Sequence, residues 1–410
     1  MVEEGDRQRF ADLAGLPVAQ FVDMSDATTR RVTSSHPAAD DVAFLQFSSG
    51  TTGHRKGVTF THRRVLAQIE ALAATLRLDR ECRIVSWLPL YHDMGLIACL
   101  LLPVLTGVPL VLLDPLEWVN HPASLFEQIE RQRATHVWLP NFAFNHLAQT
   151  VRADRHFDLS SMRAWINCSE PCKKASFDIF LQRFGAMGVT AAQLQTCYAM
   201  AEAVFVVTHS PPGQVVAHSA SGVLSAGSLL PGMAVQIQDT RGSPLPPGRV
   251  GEIAIRGSCV FDGYFRGENS NSEAFRDEWF LTGDLGCIDN GELYVVGRSK
   301  DVIIVNGKNL FAHDIEATLA AVPGIKPGRA LALGVFNELS GSEELVILAE
   351  TTEHNSPALR RVVKESVRQS FGIAVTRTQT VAPGWLIKTT SGKLDRKRNK
   401  LRYMDGLRHG

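Results

Sequence analysis

An excess charge of either sign is missing from this chain: 42 lysines and arginines stand against 42 aspartates and glutamates in 410 residues. That balance removes the electrostatic reason to expect a nucleic acid or an acidic membrane surface as a partner. The basic stretch 393–402 is the local exception and reads as a solvated helix face. Seven cysteines, an odd number without paired spacing, argue against a disulfide framework. Neither Cys168 with Cys172 nor Cys82 with Cys99 has a second pair at zinc-finger spacing, so no structural metal site is expected. The first residues, Met-Val-Glu-Glu-Gly-Asp, are acidic and lack a signal-peptide core. One apolar run, 94–113, approaches membrane length. Gly95, Pro103, Gly107 and Pro109 interrupt it and Asp93 and Asp114 flank it, so a buried helix-turn-strand is expected instead. The expected compartment is the cytoplasm. Internal repeats and low-complexity segments are also missing, as is the Gly-x-x-x-x-Gly-Lys-Ser/Thr string of a Walker A loop.

What is present is an ordinary globular composition, 45% apolar and 20% charged, in a chain long enough for two or more domains. Residues 47–57 read Phe-Ser-Ser-Gly-Thr-Thr-Gly-His-Arg-Lys-Gly. Ser48, Ser49, Thr51 and Thr52 offer hydroxyl donors. Gly50, Gly53 and Gly57 let backbone N–H groups close on an anion, and Arg55 and Lys56 add positive charge. This chemistry suits a polyphosphate, with ATP the obvious candidate.

Residues 1–40 are polar and weakly periodic, a leader or remnant. From Asp41 onward, strands expected at 42–47, 83–87, 110–113, 136–139 and 165–167 alternate with helices at 62–76, 94–105, 122–133, 142–150 and 174–184. Such alternation implies right-handed βαβ units and a parallel sheet, so 41–210 is α/β. Residues 211–298 are β-rich, with short strands at 234–238 and 252–256 and a two-residue hairpin turn at Asn290-Gly291. They form a small barrel that completes a large domain at 41–298. Residues 299–410 read as a compact C-terminal α+β domain, with strands at 302–305, 330–335 and 344–349 and helices at 313–321 and 358–371.

Phosphate binding needs donors, magnesium needs a carboxylate and a ribose diol needs an acceptor that reads both hydroxyls. Tyr198-Ala-Met-Ala-Glu202 offers an aromatic face and a carboxylate. Thr282-Gly-Asp284 places a carboxylate in an expected turn between strands. Gly297-Arg-Ser-Lys-Asp301 stands at the domain boundary, and Thr389-Thr-Ser-Gly-Lys393 puts a lysine on a hydroxyl- and glycine-rich turn. Each element is weak alone, and their order is specific.

That order resembles the adenylate-forming superfamily of acyl-CoA synthetases, adenylation domains, luciferases and acyl-AMP ligases, from about Asp41 to Arg398. The texture is similar to fatty-acyl-AMP ligases in Leu88-Pro-Leu-Tyr-His-Asp-Met-Gly-Leu96, Pro140-Asn-Phe-Ala-Phe144, Asn167-Cys-Ser-Glu-Pro171 and Tyr198-Ala-Met-Ala-Glu-Ala203. The resemblance implies a mobile C-terminal domain and ATP with Mg2+ as cofactors. It implies that Ser48, Ser49, Gly50, Thr51, Thr52, Gly53 and Lys56 close over the β- and γ-phosphates. Ser169, Glu170 and Pro171 border the adenine, with Tyr198 stacked on it. Glu202 holds magnesium, Asp284 accepts from the ribose, and Arg298 contacts the nucleotide. Lys300 is the hinge, Lys393 reaches the carboxylate and α-phosphate, and His92 stands at the acid pocket.

The implied reaction forms an acyl-adenylate with release of pyrophosphate. The acyl group then passes to an acceptor thiol, on a carrier protein or CoA, or to an amine. The alternatives are an acyl-CoA ligase and a non-catalytic nucleotide-binding or scaffolding relative. The joint presence of Glu202, Asp284, Arg298 and Lys393 favours an enzyme.

Three departures accompany the resemblance. Members usually carry a large subdomain before the phosphate loop, where only forty-odd residues stand here. A second copy or another partner is therefore expected to cover an apolar face on that side. Cys168 and Ala199 replace glycines near the adenine. The stretch between Glu202 and Gly227 is too short for the full insertion that hinders thioester formation with CoA in fatty-acyl-AMP ligases.

Overall fold

The computed structural model describes residues 37–47, 56–169, 172–218, 223–305, 308–326, 328–337, 342–352, 356–389 and 392–408. The chain from Val42 onward forms one compact unit. Six of the expected phosphate-loop residues (Ser48, Ser49, Gly50, Thr51, Thr52 and Gly53) lie outside the described residues, as do Glu170 and Pro171.

Strand β1 (Val42–Phe47) pairs antiparallel with β2 (Gly57–Thr61) in a two-stranded hairpin. The sequence led straight from a first strand to a helix of a parallel sheet; the hairpin corrects this. Val58 and Phe60 alternate inward along β2 and are fully buried, which ties the hairpin to the core. Helix α1 (His62–Leu76) follows, capped by the Thr61 hydroxyl on the Arg64 N–H, with Val65, Ile69 and Leu72 forming its buried stripe. After β3 (Ile84–Ser86), the apolar run forms a π-helix (Met94–Leu101) that continues into α2 (Leu102–Thr106). A single α-helix was expected there. A π-helical turn of this kind commonly marks a functional site.

The chain continues through β4 (Leu110–Leu112), α3 (Pro115–Asn120), α4 (Ser124–Gln132), β5 (His136–Pro140), α5 (Asn141–Thr150), β6 (Ala164–Cys168) and α6 (Lys174–Phe184). Three strands then follow, β7 (Leu194–Ala199), β8 (Val206–His209) and β9 (Ser228–Leu229). The resulting seven-stranded sheet has the order β4-β3-β5-β6-β7-β8-β9. It is parallel as far as β7, and β8 and β9 join it antiparallel. Helices α4, α5 and α6 bury Phe126, Phe144, Phe180 and Phe184 in one aromatic cluster that includes Trp165 of β6.

The β-rich part holds β10 (Met233–Gln238), β11 (Gly251–Gly257), α7 (Glu268–Ala274), β12 (Phe275–Arg276), β13 (Trp279–Asp289) and β14 (Glu292–Arg298). These five strands form one antiparallel sheet, and Asn290-Gly291 makes the expected hairpin turn with both residues at positive φ. Beyond it lie β15 (Val302–Val305), β16 (Lys308–Phe311), α8 (Ala312–Leu319), β17 (Ala330–Asn337), β18 (Ser342–Glu350), α9 (Pro357–Phe371), β19 (Arg377–Val381) and α10 (Arg396–Arg408). A three-stranded sheet, β17-β18-β19, carries one apolar cluster with α8 and α9 and a second, around Tyr403, on its other face. Neither cluster includes residues of the large core that runs from Val58 to Leu293.

Candidate active site

Binding crevices of α/β sheets open beyond the carboxyl ends of the parallel strands. Here those ends carry Trp87, Asn141, Ser169 and Tyr198, each just past or within the tip of its strand. Tyr198 is buried and its hydroxyl donates to Asp284 Oδ2 at 2.7 Å. Arg298 Nε lies 3.2 Å from Asp284 Oδ1. The pairing is built into the sheet, because Asp284 and Arg298 are register partners on β13 and β14.

Asp284 was expected in a turn, but Thr282-Gly-Asp284 lies inside β13, at an irregularity in its pairing with β11. Gly283 takes φ 72° there. The Thr282 hydroxyl donates to the Ile253 carbonyl at 2.7 Å and accepts from the Asp284 N–H at 3.1 Å. The carboxylate is thus re-aimed by a bulge rather than by a loop. Burial pushes the Asp284 carboxyl up, against the opposing pull of Arg298, Tyr198 and Lys393. The Asp284 charge in turn holds Arg298 above its usual value, and burial followed by that same charge raises the Tyr198 hydroxyl.

Glu202 sits on a 3-10 turn, Ala201–Ala203, directly after Met200. Val204 follows with φ 61° and ψ −53°, and the Phe205 N–H donates to the Ala203 carbonyl at 2.7 Å. This is the strained form of the γ-turn, and a β-branched residue there costs on the order of 1–3 kcal/mol. The Phe261 N–H donates to the Glu202 carbonyl at 2.9 Å, and the Tyr264 hydroxyl donates to Glu202 Oε1 at 3.0 Å. Burial pushes the Glu202 carboxyl up. The Lys56 ammonium lies 4.5 Å from the centre of the Tyr264 ring, so Lys56 is linked to Glu202 through this tyrosine. Nothing about Tyr264 in the sequence announced it, since it stands alone in Phe-Asp-Gly-Tyr-Phe.

His92 and Asp93 form the mouth of the π-helix. Asp93 Oδ1 accepts from the Met94 N–H at 2.8 Å and lies 2.5 Å from His92 Nδ1. Burial pushes the Asp93 carboxyl up, but His92, the Met94 N–H and Lys393 outweigh it and hold it below the usual carboxylate range. Gly95 is required at this corner. A Cβ there would stand 2.8 Å from the Pro89 carbonyl carbon and 3.1 Å from the Leu88 oxygen, and closer still to the Pro89 oxygen. Ser169, at φ 74°, directs its carbonyl to the Lys393 ammonium at 2.8 Å, and its hydroxyl is 3.7 Å from Met94 Sδ. Lys393, separated from Ser169 by more than two hundred residues of chain, is therefore gathered into the same cleft. Sequence reading missed Asp93 as a site residue, although it lies inside the Tyr-His-Asp-Met-Gly motif.

Lys300 is exposed on a single 3-10 turn, Ser299–Asp301, between β14 and β15. Of the apolar residues near the cleft, Trp87, Met94 and Phe144 are core, whereas Phe142 is 47% exposed. Cys168 is buried at the end of β6, beside Cys197 of β7. Among the described residues, no group of three or more His, Cys, Asp or Glu could hold a metal ion, and no helix is long and apolar enough to cross a membrane.

The chain matches the AMP-binding enzyme family over residues 4–265. It belongs to that family. Relatives of this AMP-binding enzyme include a long-chain-fatty-acid–AMP ligase of Mycobacterium marinum, 30% identical over 97% of this chain and 76% of the relative. A medium-chain-fatty-acid–[acyl-carrier-protein] ligase of Moorena producens is 28% identical over 90% of this chain and 69% of that protein. Among solved structures, that of McyG A-PCP complexed with phenylalanyl-adenylate superimposes with a TM-score of 0.89 at 26% identity. It covers 98% of this chain, which spans 65% of the McyG chain. The fold is that of adenylate-forming enzymes, and the protein is an AMP-forming acid ligase.

Proposed function

We propose that this AMP-binding enzyme activates a fatty acid with ATP and Mg2+, releases pyrophosphate, and passes the acyl group to a thiol borne by a carrier protein. The observation that carries this reading is the position of Lys393. Its ammonium is held 2.8 Å from the Ser169 carbonyl, where its charge lowers the carboxyls of both Asp93 and Asp284. A fatty acid and a carrier-protein acceptor are supported by what the two relatives are named for, and by the A-PCP neighbour.

A carboxylate oxygen attacks the α-phosphorus of ATP, the bond from that phosphorus to the bridging oxygen breaks, and pyrophosphate leaves. Negative charge gathers on the non-bridging oxygens, where the Lys393 ammonium offsets it without a proton having to move. The acceptor sulfur then attacks the acyl carbonyl and AMP departs. Asp284, fixed by Tyr198 and Arg298, is suited to accept from the ribose hydroxyls, and the Tyr198 ring to lie against the adenine. Lys56 and the loop residues Ser48, Ser49, Gly50, Thr51, Thr52 and Gly53 are assigned to the β- and γ-phosphates. Ser169, Glu170 and Pro171 are assigned to the adenine border and His92 to the acid.

A divalent cation fits Glu202. One carboxylate oxygen is engaged by Tyr264, and the remaining hydrogen bond acting on the carboxyl comes from the backbone of Glu202 itself. Magnesium bound mainly by phosphate oxygens needs few protein ligands. When bound, it neutralises phosphate charge during attack. Residues 299–410 are assigned to a unit that swings about Lys300, withdrawing Lys393 so that the acceptor can enter.

The test is pyrophosphate release over a panel of carboxylic acids, with mass spectrometry for the adenylate and with carrier protein, CoA and amines as separate acceptors. Fatty acids should yield an adenylate, and Lys393→Ala should abolish it while ATP affinity stays within about twofold. A folded protein that makes no adenylate from any acid defeats the proposal, and undiminished turnover in Lys393→Ala removes that lysine from the mechanism.

A further inference from the structure

A groove of about 1010 Å³ lies between α9 and the edge strand β19. Arg360, Arg361, Lys364 and Arg368 of α9 line one wall, and Arg377 of β19 stands on the other. A single carboxylate, Glu365, accompanies these five cations, and it is bound to Arg368 at 2.7 Å. In a chain of zero net charge this is a marked local excess. Arg361, Lys364 and Arg377 are exposed and form no ion pair with a described residue.

The groove floor adds a second, independent feature. Thr378 lines it and is 9% exposed, and its buried hydroxyl has no hydrogen-bond partner among the described residues. A buried hydroxyl left without a partner is unfavourable, so an acceptor that reached it from the groove would be favoured. β19 is bonded to β18 along one edge only, so its free edge also offers backbone groups to an extended segment.

From these features we propose that the groove is a docking site for an acidic peptide segment of a protein partner. The cations of α9 run from residue 360 to residue 368, a row roughly 12 Å long at the helical rise. A single phosphate is far shorter than that row, whereas successive carboxylates on an extended segment span it. Its concave shape, with a wall on either side, fits a strand better than a flat lipid surface. The groove includes none of the residues assigned to nucleotide or acid. The inference therefore does not depend on the proposed reaction.

The experiment is fluorescence anisotropy with a labelled polyglutamate peptide of about ten residues, in low and in high salt. Wild-type protein should bind the peptide, and Arg361→Glu/Lys364→Glu should weaken binding on the order of tenfold or more with unchanged melting and adenylation. If that variant melts early, Arg377→Glu on the opposite wall makes the same test. A control of equal charge, Lys397→Glu/Arg398→Glu on α10, should leave peptide affinity intact. Equal weakening by the control, unchanged binding in both groove variants, or no binding by wild type overturns the proposal. It is also overturned if CoA, pyrophosphate or anionic vesicles, rather than the peptide, bind in a way the groove variants abolish.

Discussion

Replacing Tyr198 by Phe removes one oxygen and keeps the ring, which makes it a sharp probe of the Tyr198–Asp284–Arg298 arrangement. In the wild type the hydroxyl donates at 2.7 Å to a carboxylate that is only 7% exposed. Water cannot readily replace that donor at so buried an atom. A hydrogen bond to a charged acceptor contributes about 1.5–3 kcal/mol, and the remaining partner, Arg298 at 3.2 Å, is half-exposed. If roughly half of that loss falls on the nucleotide complex, ATP should bind about three- to twelvefold more weakly.

The pH dependence has a definite sign. The hydroxyl favours the ionised form of Asp284, and burial already pushes that carboxyl up. Removing the donor raises it further, so ATP binding that needs the carboxylate should fail at a higher pH in the variant. The assay is isothermal titration with ATP across a series between about pH 5.5 and about pH 8, beside a thermal melt. Unchanged affinity with an unchanged pH midpoint would refute the claim that this hydroxyl maintains Asp284.

Two further outcomes are expected. His136 and His209 are buried near each other, and burial brings both down to about 4. Their folded values lie below the unfolded one, so stability is present above about pH 6.5 and lost as pH falls toward about 4, by at most about 3 kcal/mol each. Asp284, Glu202 and Glu316, with raised values, act in the opposite sense over part of that window. The measurement is therefore the difference in acid melting between wild type and His209→Leu, and a parallel pH slope in the two proteins contradicts the reading. Gly95→Ala should cost about 1–3 kcal/mol through its clash with the Pro89 carbonyl, and should slow adenylation by shifting the His92–Asp93 corner. A wild-type melting temperature and rate would mean that the corner yields freely.

Local periodicity was enough for α1 and α6, whose apolar stripes and ends lie at 62–76 and 174–184 as expected, and for the hairpin at Asn290-Gly291. It failed where a non-local partner decides the conformation. β2 is a five-residue strand made by pairing with β1, and the segment carrying Asp284 is strand rather than turn because β11 and β14 flank it. The π-helix at Met94–Leu101 has an unremarkable apolar sequence, and nothing in its periodicity separates it from an α-helix.

By itself, the sequence determined the chemical inventory and its order: Lys56, Tyr198, Glu202, Asp284, Arg298 and Lys393 on recognisable motifs, enough to indicate the family. Tertiary structure alone decided which of them meet. It brought Lys393 to Ser169, tied Tyr198 to Asp284 and Tyr264 to Glu202, and put Asp93 where the Lys393 charge helps hold its carboxyl down. The reason is that hydrogen bonds and burial act over a few ångströms of space, whereas a motif records only separation along the chain.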